Sequence, residues 1–265
     1  MEKNIIQSLW IGNKLSIIER IAAASFLANG HKFHLYVYDD IKDVPSGVKI
    51  VDANEIIPEA QLHAYRRKYA LFSDWFRYEL LFKKGHFWVD MDNICLKPYI
   101  FQEDFVFGKE DSYTVASGVL RFPVGHVILK NLIHLCKAPN VILRDDSSKT
   151  KIIKAIRKYL LGNRRYRVMW GEVGPHALTR ELNKYNLFHK AKPFTFFYPI
   201  HYSCWKSVFD DTFFDQIFLF GATYSIHLWN EMRKREKDYE INKEYSDMSL
   251  IGILRKKYIV SIRKQ

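Results

Sequence analysis

Phe87-Trp88-Val89-Asp90-Met91-Asp92-Asn93-Ile94-Cys95-Leu96-Lys97 is the stretch that decides how the chain is read. Phe87, Trp88 and Val89 predict a short buried strand, and Asp90 and Asp92 follow at its C-terminal end. In open α/β sheets, ligands bind beyond that end of the strands. Two carboxylates one residue apart lie on the same side of an extended segment. There they can offer oxygens to one hard cation, Mg²⁺ or Mn²⁺, which can also hold a diphosphate. A bare Asp-x-Asp fits a solvated turn as well, so the residues before it carry the weight.

Residues 65–85 predict one long helix. Leu71, Trp75, Tyr78 and Phe82 recur at helical spacing and are expected to face the core. Asp74 and Arg77 stand three apart and share a face, as the partners of a plain surface ion pair would. Gly85 supplies the stop. Helix, glycine, strand and Asp-x-Asp together form a βαβ-like unit ending in a candidate metal site.

Ser73-Asp74-Trp75-Phe76-Arg77-Tyr78, then Gly85, then Asp90-Met91-Asp92 resembles the DXD glycosyltransferases of the GT-A fold. The nearest likeness is glycosyltransferase family 32, with its capsule and lipopolysaccharide relatives. The resemblance implies an α/β, Rossmann-like mixed central sheet flanked by helices. It also implies transfer of a sugar from a nucleotide-diphosphate donor, UDP-hexose or UDP-N-acetylhexosamine, to a saccharide acceptor with retention of configuration. By likeness, Asp90 and Asp92 hold Mn²⁺ or Mg²⁺, and His227, in Ser225-Ile226-His227-Leu228-Trp229-Asn230, completes the metal shell. A histidine at a strand end also reads as a structural residue. Asp74 would bond donor-sugar hydroxyls beside Ser73, Arg77 would contact the sugar or its phosphate, and Trp229 and Asn230 would line the diphosphate pocket. Trp10 by itself reads as a core or edge tryptophan; Ile5-Ile6-Gln7-Ser8-Leu9-Trp10 resembles the family's Ile-His-x-Ile-Trp-like segment, with Gln7 replacing the usual His, and by that likeness Trp10 would flank the base. Ser117 stands where the family writes Asn, and Val173 where Gly-Pro is preceded by Thr.

The remaining chain predicts further alternation: strands over 4–11, 33–38, 48–51, 105–108 and 117–122, and helices over 16–29 and 126–136. Another strand ends in 218–229, and Gly174-Pro175 opens a helix from about His176. Asp39-Asp40 after the second strand reads as a turn or as ribose contacts. Gly118 reads as room for an acceptor or as a tight strand crossing.

Two stretches are basic and amphipathic, 149–167 and 248–265. The first carries Ile152, Ile153, Ile156, Leu160 and Leu161 among eight cations. The second repeats Leu250, Leu254, Tyr258 and Ile262. Each is compatible with a surface helix packed on the core or with an anionic membrane face.

The chain has 265 residues, 48% apolar and 15% aromatic, enough to bury a real core. With 41 basic and 29 acidic residues its charge is +12, which points to an anionic partner. Nucleic acid is the least supported of these, since neither zinc-finger spacing nor an RNP-like motif occurs. Cys95, Cys136 and Cys204 are odd in number and far apart, as free thiols in a reducing cytosol would be. A strand starts almost at once, so no signal peptide is read. The expectation is one glycosyltransferase domain, 1–247, with a basic helical tail at 248–265. Its setting is cytoplasmic and peripheral on the inner face of a bacterial membrane, serving surface-polysaccharide synthesis on a lipid-linked acceptor. The alternative is a metal-dependent phosphatase of haloacid dehalogenase type, which also sets Asp-x-Asp after an apolar strand. Against it, the motif lies far from the N-terminus and no later Gly-Asp-x-x-x-Asp appears.

Overall fold

A computed structural model describes residues 5–66, 68–138, 140–211, 221–233, 236 and 245–260. Its centre is a six-stranded mixed sheet in the order β3-β2-β1-β4-β7-β6. Strands β1 (Ile5–Leu9), β2 (Lys32–Val37), β3 (Val48–Asp52) and β4 (Phe87–Val89) run parallel. Strands β6 (Val106–Lys109) and β7 (Val115–Arg121) close that edge antiparallel. A separate ribbon pairs β5 (Asn93–Cys95) with β8 (Ser225–His227). The expected α/β mixed sheet flanked by helices is what the chain forms.

Side-chain alternation explains the layering. Trp88 points to one face, into a cluster with Leu9, Tyr36, Phe107 and Leu120. Phe87 and Val89 point to the other, with Ile6, Phe33, Leu35 and Val119. The first face is covered by α2 (Tyr69–Lys84), α3 (Val127–Lys137) and α5 (Pro175–Lys184). The second carries α1 (Ile17–Ala28), which is started by a capping box between Ser16 and Glu19.

Helix α2 begins four residues later than the periodicity suggests. Residues 59–65 wind as 3₁₀ turns, and Arg66 adopts φ 45°, which stops them. Arg67 lies outside the described residues. Once formed, α2 is buried nearly all round: Phe72, Phe76, Leu80 and Leu81 join Leu71, Trp75 and Tyr78, while Phe82 is half-buried.

The two basic stretches behave oppositely. Residues 250–260 form α6 (Leu250–Arg255) and one wider turn, Lys256–Val260. Leu250, Leu254 and Tyr258 are buried against Ile18, Ile21, Ile94 and Ile226, so their apolar face is not free for a membrane. Ile262 falls outside the described residues, as do Asn4 and residues 218–220 of the expected strands. In 149–167 the amphipathic helix is turned outward. Helix α4 (Ser148–Ala155) and the turn Ile156–Leu160 bury Lys154 and Arg157 and expose Ile152, Ile156 and Leu160. Among the described residues no helix is long and apolar enough to cross a membrane.

Candidate active site and metal centre

The chain leaves β1 towards β2 and returns to the opposite side of β1 as β4. Such a reversal opens a crevice at the strands' C-terminal ends. A cleft of about 570 Å³ lies there, with Ser8, Leu9 and Trp10 from β1 and Asp90, Met91 and Asp92 from the β4 exit in its wall. The Ser8 hydroxyl donates to the Val89 carbonyl at 2.7 Å and locks the two strand ends together. Trp170, Pro175 and His176 form another wall, and Tyr198, Tyr202 and Trp229 a third.

Pairing of β5 with β8 sets Asn93 opposite His227, which delivers the histidine to the two acids. His227 Nε2 lies 3.2 Å from Asp92 Oδ1 and 3.7 Å from Asp90 Oδ2. One ligand atom from each of the three residues falls within 4.8 Å of the others. Two carboxylate oxygens and one imidazole nitrogen suit Mn²⁺ better than Mg²⁺. The donor set therefore fits the expected divalent cation. Burial opposes a charge on His227, but Asp92 and then Asp90 outweigh it and raise the ring's proton affinity. The Trp229 N–H approaches Nδ1 at 3.3 Å, so the proton of a neutral ring sits on Nε2, facing the acids. Nε2 is therefore the nitrogen that would hold a cation together with Asp90 and Asp92.

Asp90 is fixed from several directions. Its N–H donates to the Gly118 carbonyl at 2.8 Å. Its Oδ1 accepts from Trp88 Nε1 at 2.9 Å and pairs with Arg77 at 3.0 Å. Burial would raise its pKa, but Arg77, then His227 and Trp88, hold the carboxyl below the usual range. Its side chain still keeps 26% of its surface open, so the acid faces the cleft. A Cβ at Gly118 would stand 3.1 Å from Asp90 Oδ2 and 3.2 Å from the His227 ring. Gly118 lines the cleft, and its missing side chain leaves space there for the candidate metal ligands Asp90 and His227.

Arg77 is buried and its donors are occupied. It bonds the Ser117 carbonyl at 2.6 Å and Ser73 Oγ at 3.2 Å, pairs with Asp74 at 3.4 Å, and stacks 5.0 Å over Trp88. Asp74 lies in the cleft wall, beneath Gly174 at the start of α5. A Cβ on Gly174 would meet its carboxylate at 2.7 Å. Burial pushes the Asp74 pKa up to about 6, against the pull of Arg77.

Asn230 reaches the site through its backbone. Its N–H donates to Asp92 Oδ2 at 2.8 Å, while its side chain joins Glu19 Oε1 at 2.9 Å and Arg233 Nε at 2.8 Å. Trp229 holds φ 54°, bonds the Ile200 carbonyl, and meets the His227 ring edge-on at 4.4 Å. Trp10 is half-buried and pinned through Nε1 to the Lys14 carbonyl at 3.1 Å, while Ser73 lines the cleft. Asp39 and Asp40 are exposed and not among the residues lining this cleft.

Four further acids line the cleft that sequence reasoning missed, Glu19, Glu110, Asp111 and Glu231. Burial raises the proton affinity of Glu19 and Glu110, with the Ser16 bonds opposing it at Glu19 and His227 at Glu110. For Glu19 a signal existed: Ser16-x-x-Glu19 is a capping box. No local pattern marks Glu110.

A family model described as "Alpha 1,4-glycosyltransferase conserved region" matches residues 164–249, which contain Trp170, His176, His227, Trp229 and Asn230. The lactosylceramide 4-alpha-galactosyltransferase of Rattus norvegicus is 26% identical over 200 residues, 71% of this chain and 47% of that protein. The Mus musculus protein of the same name is 24% identical over the same shares. The chain thus spans about half the length of these relatives. Among solved structures, one titled "PaToxG Glycosyltransferase" aligns with a TM-score of 0.48 at 16% identity, covering 69% of each chain. The resemblance to glycosyltransferases drawn from the Asp-x-Asp region is borne out, and the family match falls on the other half of the chain.

Proposed function

We propose that this chain is a metal-dependent glycosyltransferase that moves a hexose from a UDP-linked donor to a saccharide acceptor carried on a lipid. One observation carries the reading: Asp90, Asp92 and His227 converge within 4.8 Å at the switch point of the sheet, inside a cleft large enough for a nucleotide sugar. Mn²⁺ or Mg²⁺ held there supplies Lewis-acid neutralisation of the charge that builds on the departing diphosphate.

The protein's own residues divide the work. Asp92 and His227 offer ligand atoms, with Asn230 N–H fixing the rotamer of Asp92. Asp90 is held by Arg77 and Trp88, so Arg77 acts as a positioning residue and not as a sugar contact. Asp74, facing the cleft, accepts from donor-sugar hydroxyls. Trp10 provides an aromatic wall for the base. The names of the relatives support a lipid-linked acceptor and an α-linked product. Acceptors of that class also occur in bacterial surface-polysaccharide synthesis.

The test is hydrolysis of a panel of nucleotide sugars with Mn²⁺, with Mg²⁺ and with EDTA. Release of UDP from one sugar, lost in EDTA and restored by Mn²⁺, is the expected result. Undiminished release in EDTA, or phosphate release from simple monoesters with no UDP formed, overturns the reading.

A further inference from the structure

Helix α4 and the turn that follows it are rotated the wrong way for a helix packed by hydrophobicity. Ile152, Ile156, Tyr159 and Leu160 recur at helical spacing and are 61%, 42%, 71% and 76% exposed. Lys154 and Arg157, on the opposite side, are buried. Two ion pairs fix this rotation. Lys154 Nζ reaches both carboxylate oxygens of Asp146, at 2.9 and 2.7 Å, and Arg157 reaches Glu172 Oε2 at 2.8 Å. Burying charges costs desolvation, so a helix under no other constraint would turn its isoleucines inward. Single exposed apolar residues are ordinary on a protein surface, whereas a contiguous stripe marks a contact face.

The surroundings say what the stripe meets. Lys149, Lys158, Arg164 and Arg167 are exposed around it, and of the two acids just before the helix Asp146 is taken by Lys154 while the exposed Asp145 pairs loosely with Arg180. Apolar side chains rimmed by cations complement the headgroup layer of an anionic bilayer. The stripe is also tied to the cleft. Glu172, which holds Arg157, also accepts from the Met169 N–H at 3.1 Å, and the neighbouring Trp170 is 58% exposed and lines the cleft.

We propose that the face formed by Ile152, Ile156, Tyr159 and Leu160 seats the protein on an anionic lipid surface with the cleft mouth beside the bilayer. A lipid-linked acceptor would then reach the cleft without leaving its membrane. That consequence rests on the transferase reading; the binding does not.

The experiment is sedimentation of the full chain with vesicles of phosphatidylcholine alone or of phosphatidylcholine with phosphatidylglycerol, at low and high salt. The double variant Ile156→Glu/Leu160→Glu is compared, with circular dichroism and donor hydrolysis as controls. The expected result is salt-sensitive binding to the anionic vesicles and little to the neutral ones. The double variant should lose roughly tenfold or more in partitioning with its controls unchanged. If that variant does not fold, Lys158→Glu/Arg164→Glu keeps the stripe intact and should abolish the preference for anionic vesicles. Failure of the parent protein to bind anionic vesicles overturns the proposal. So does equal binding by a folded variant. So does a lipid-free dimer that the variant abolishes, since a second copy would then be the occupant. Lipid binding without donor hydrolysis would instead fail the transferase reading and leave this surface standing.

Discussion

Arg77 has more partners inside the protein than a lysine could serve. Its guanidinium meets Ser117, Ser73, Asp74 and Asp90 at once and lies over Trp88. An ammonium at the end of a flexible stem cannot hold that fork. Arg77→Lys should free Asp90 and lower Mn²⁺ affinity by about 10–100-fold, as loss of a partner that orients a ligand does. Calorimetric titration of Mn²⁺ reads this directly; unchanged affinity would remove Arg77 from the positioning role. Asp74 gives a prediction in pH. Its folded pKa of about 6 lies above that of an ordinary aspartate, because burial outweighs Arg77. A raised pKa means that the folded state favours the proton. The stabilising contribution is complete below the unfolded pKa and is lost as pH rises through about 6. Asp74→Asn should therefore gain stability relative to the parent at pH 7.5, by up to about 3 kcal/mol, and little at pH 4. Urea unfolding at both values decides it, and a gain equal at both would refute the assignment. Donor hydrolysis should fall in the same variant, because an amide offers one neutral acceptor oxygen where the carboxylate offers two charged ones.

At the scale of elements, legibility follows how local each cause is. The strand, its two acids and the helix before them were readable because period 2 and period 3.6 are written in consecutive residues. His227 was readable only through the family likeness. Its place beside Asp92 depends on the β5–β8 pairing, which no local pattern announces. The start of α2 was misplaced because Arg66 adopts a left-handed φ without a glycine to signal it. The rotation of α4 ran against its hydropathy because Asp146 and Glu172, in neighbouring segments, hold two cations inside. Gly118 sits on β7, where a methyl group would stand 3.1 Å from Asp90 Oδ2 and 3.2 Å from the His227 ring, so those side chains would have to give way slightly. Gly118→Ala should keep the fold but push the two side chains apart, weakening Mn²⁺ binding about tenfold. The same titration, with an unchanged melting temperature, would confirm it. Full affinity would show that the site relaxes around the methyl group.

For the molecule as a whole, the decisive question is what holds the β5–β8 ribbon, and with it His227, against the sheet. The ribbon is short, and a two-stranded ribbon is not stable alone. Its apolar residues Ile94 and Ile226 lie in one cluster with Ile18 and Ile21 of α1 and with Leu250, Ile251, Leu254 and Tyr258. The Tyr258 hydroxyl adds a bond of 2.9 Å to the Cys95 carbonyl, at the end of β5. Residues 248–260 are thus the outer wall of the core under the candidate metal site, although their composition reads as a basic tail. Complete burial of a Leu or Ile side chain stabilises by about 1.5–3 kcal/mol, so removing this wall withdraws several such contributions from a fold with a small net margin. Ending the chain after Asp247 should lower the melting temperature sharply and abolish metal-dependent donor hydrolysis together with Mn²⁺ binding. Tyr258→Phe, which deletes only the hydroxyl, should cost about 1 kcal/mol and leave hydrolysis nearly intact. Thermal melts and Mn²⁺ titration of the two variants separate wall from tail. A truncated chain that melts like the parent and still binds Mn²⁺ would show that α1 and the cluster residues Ile200, Trp205, Val208 and Phe209 hold the ribbon without this wall.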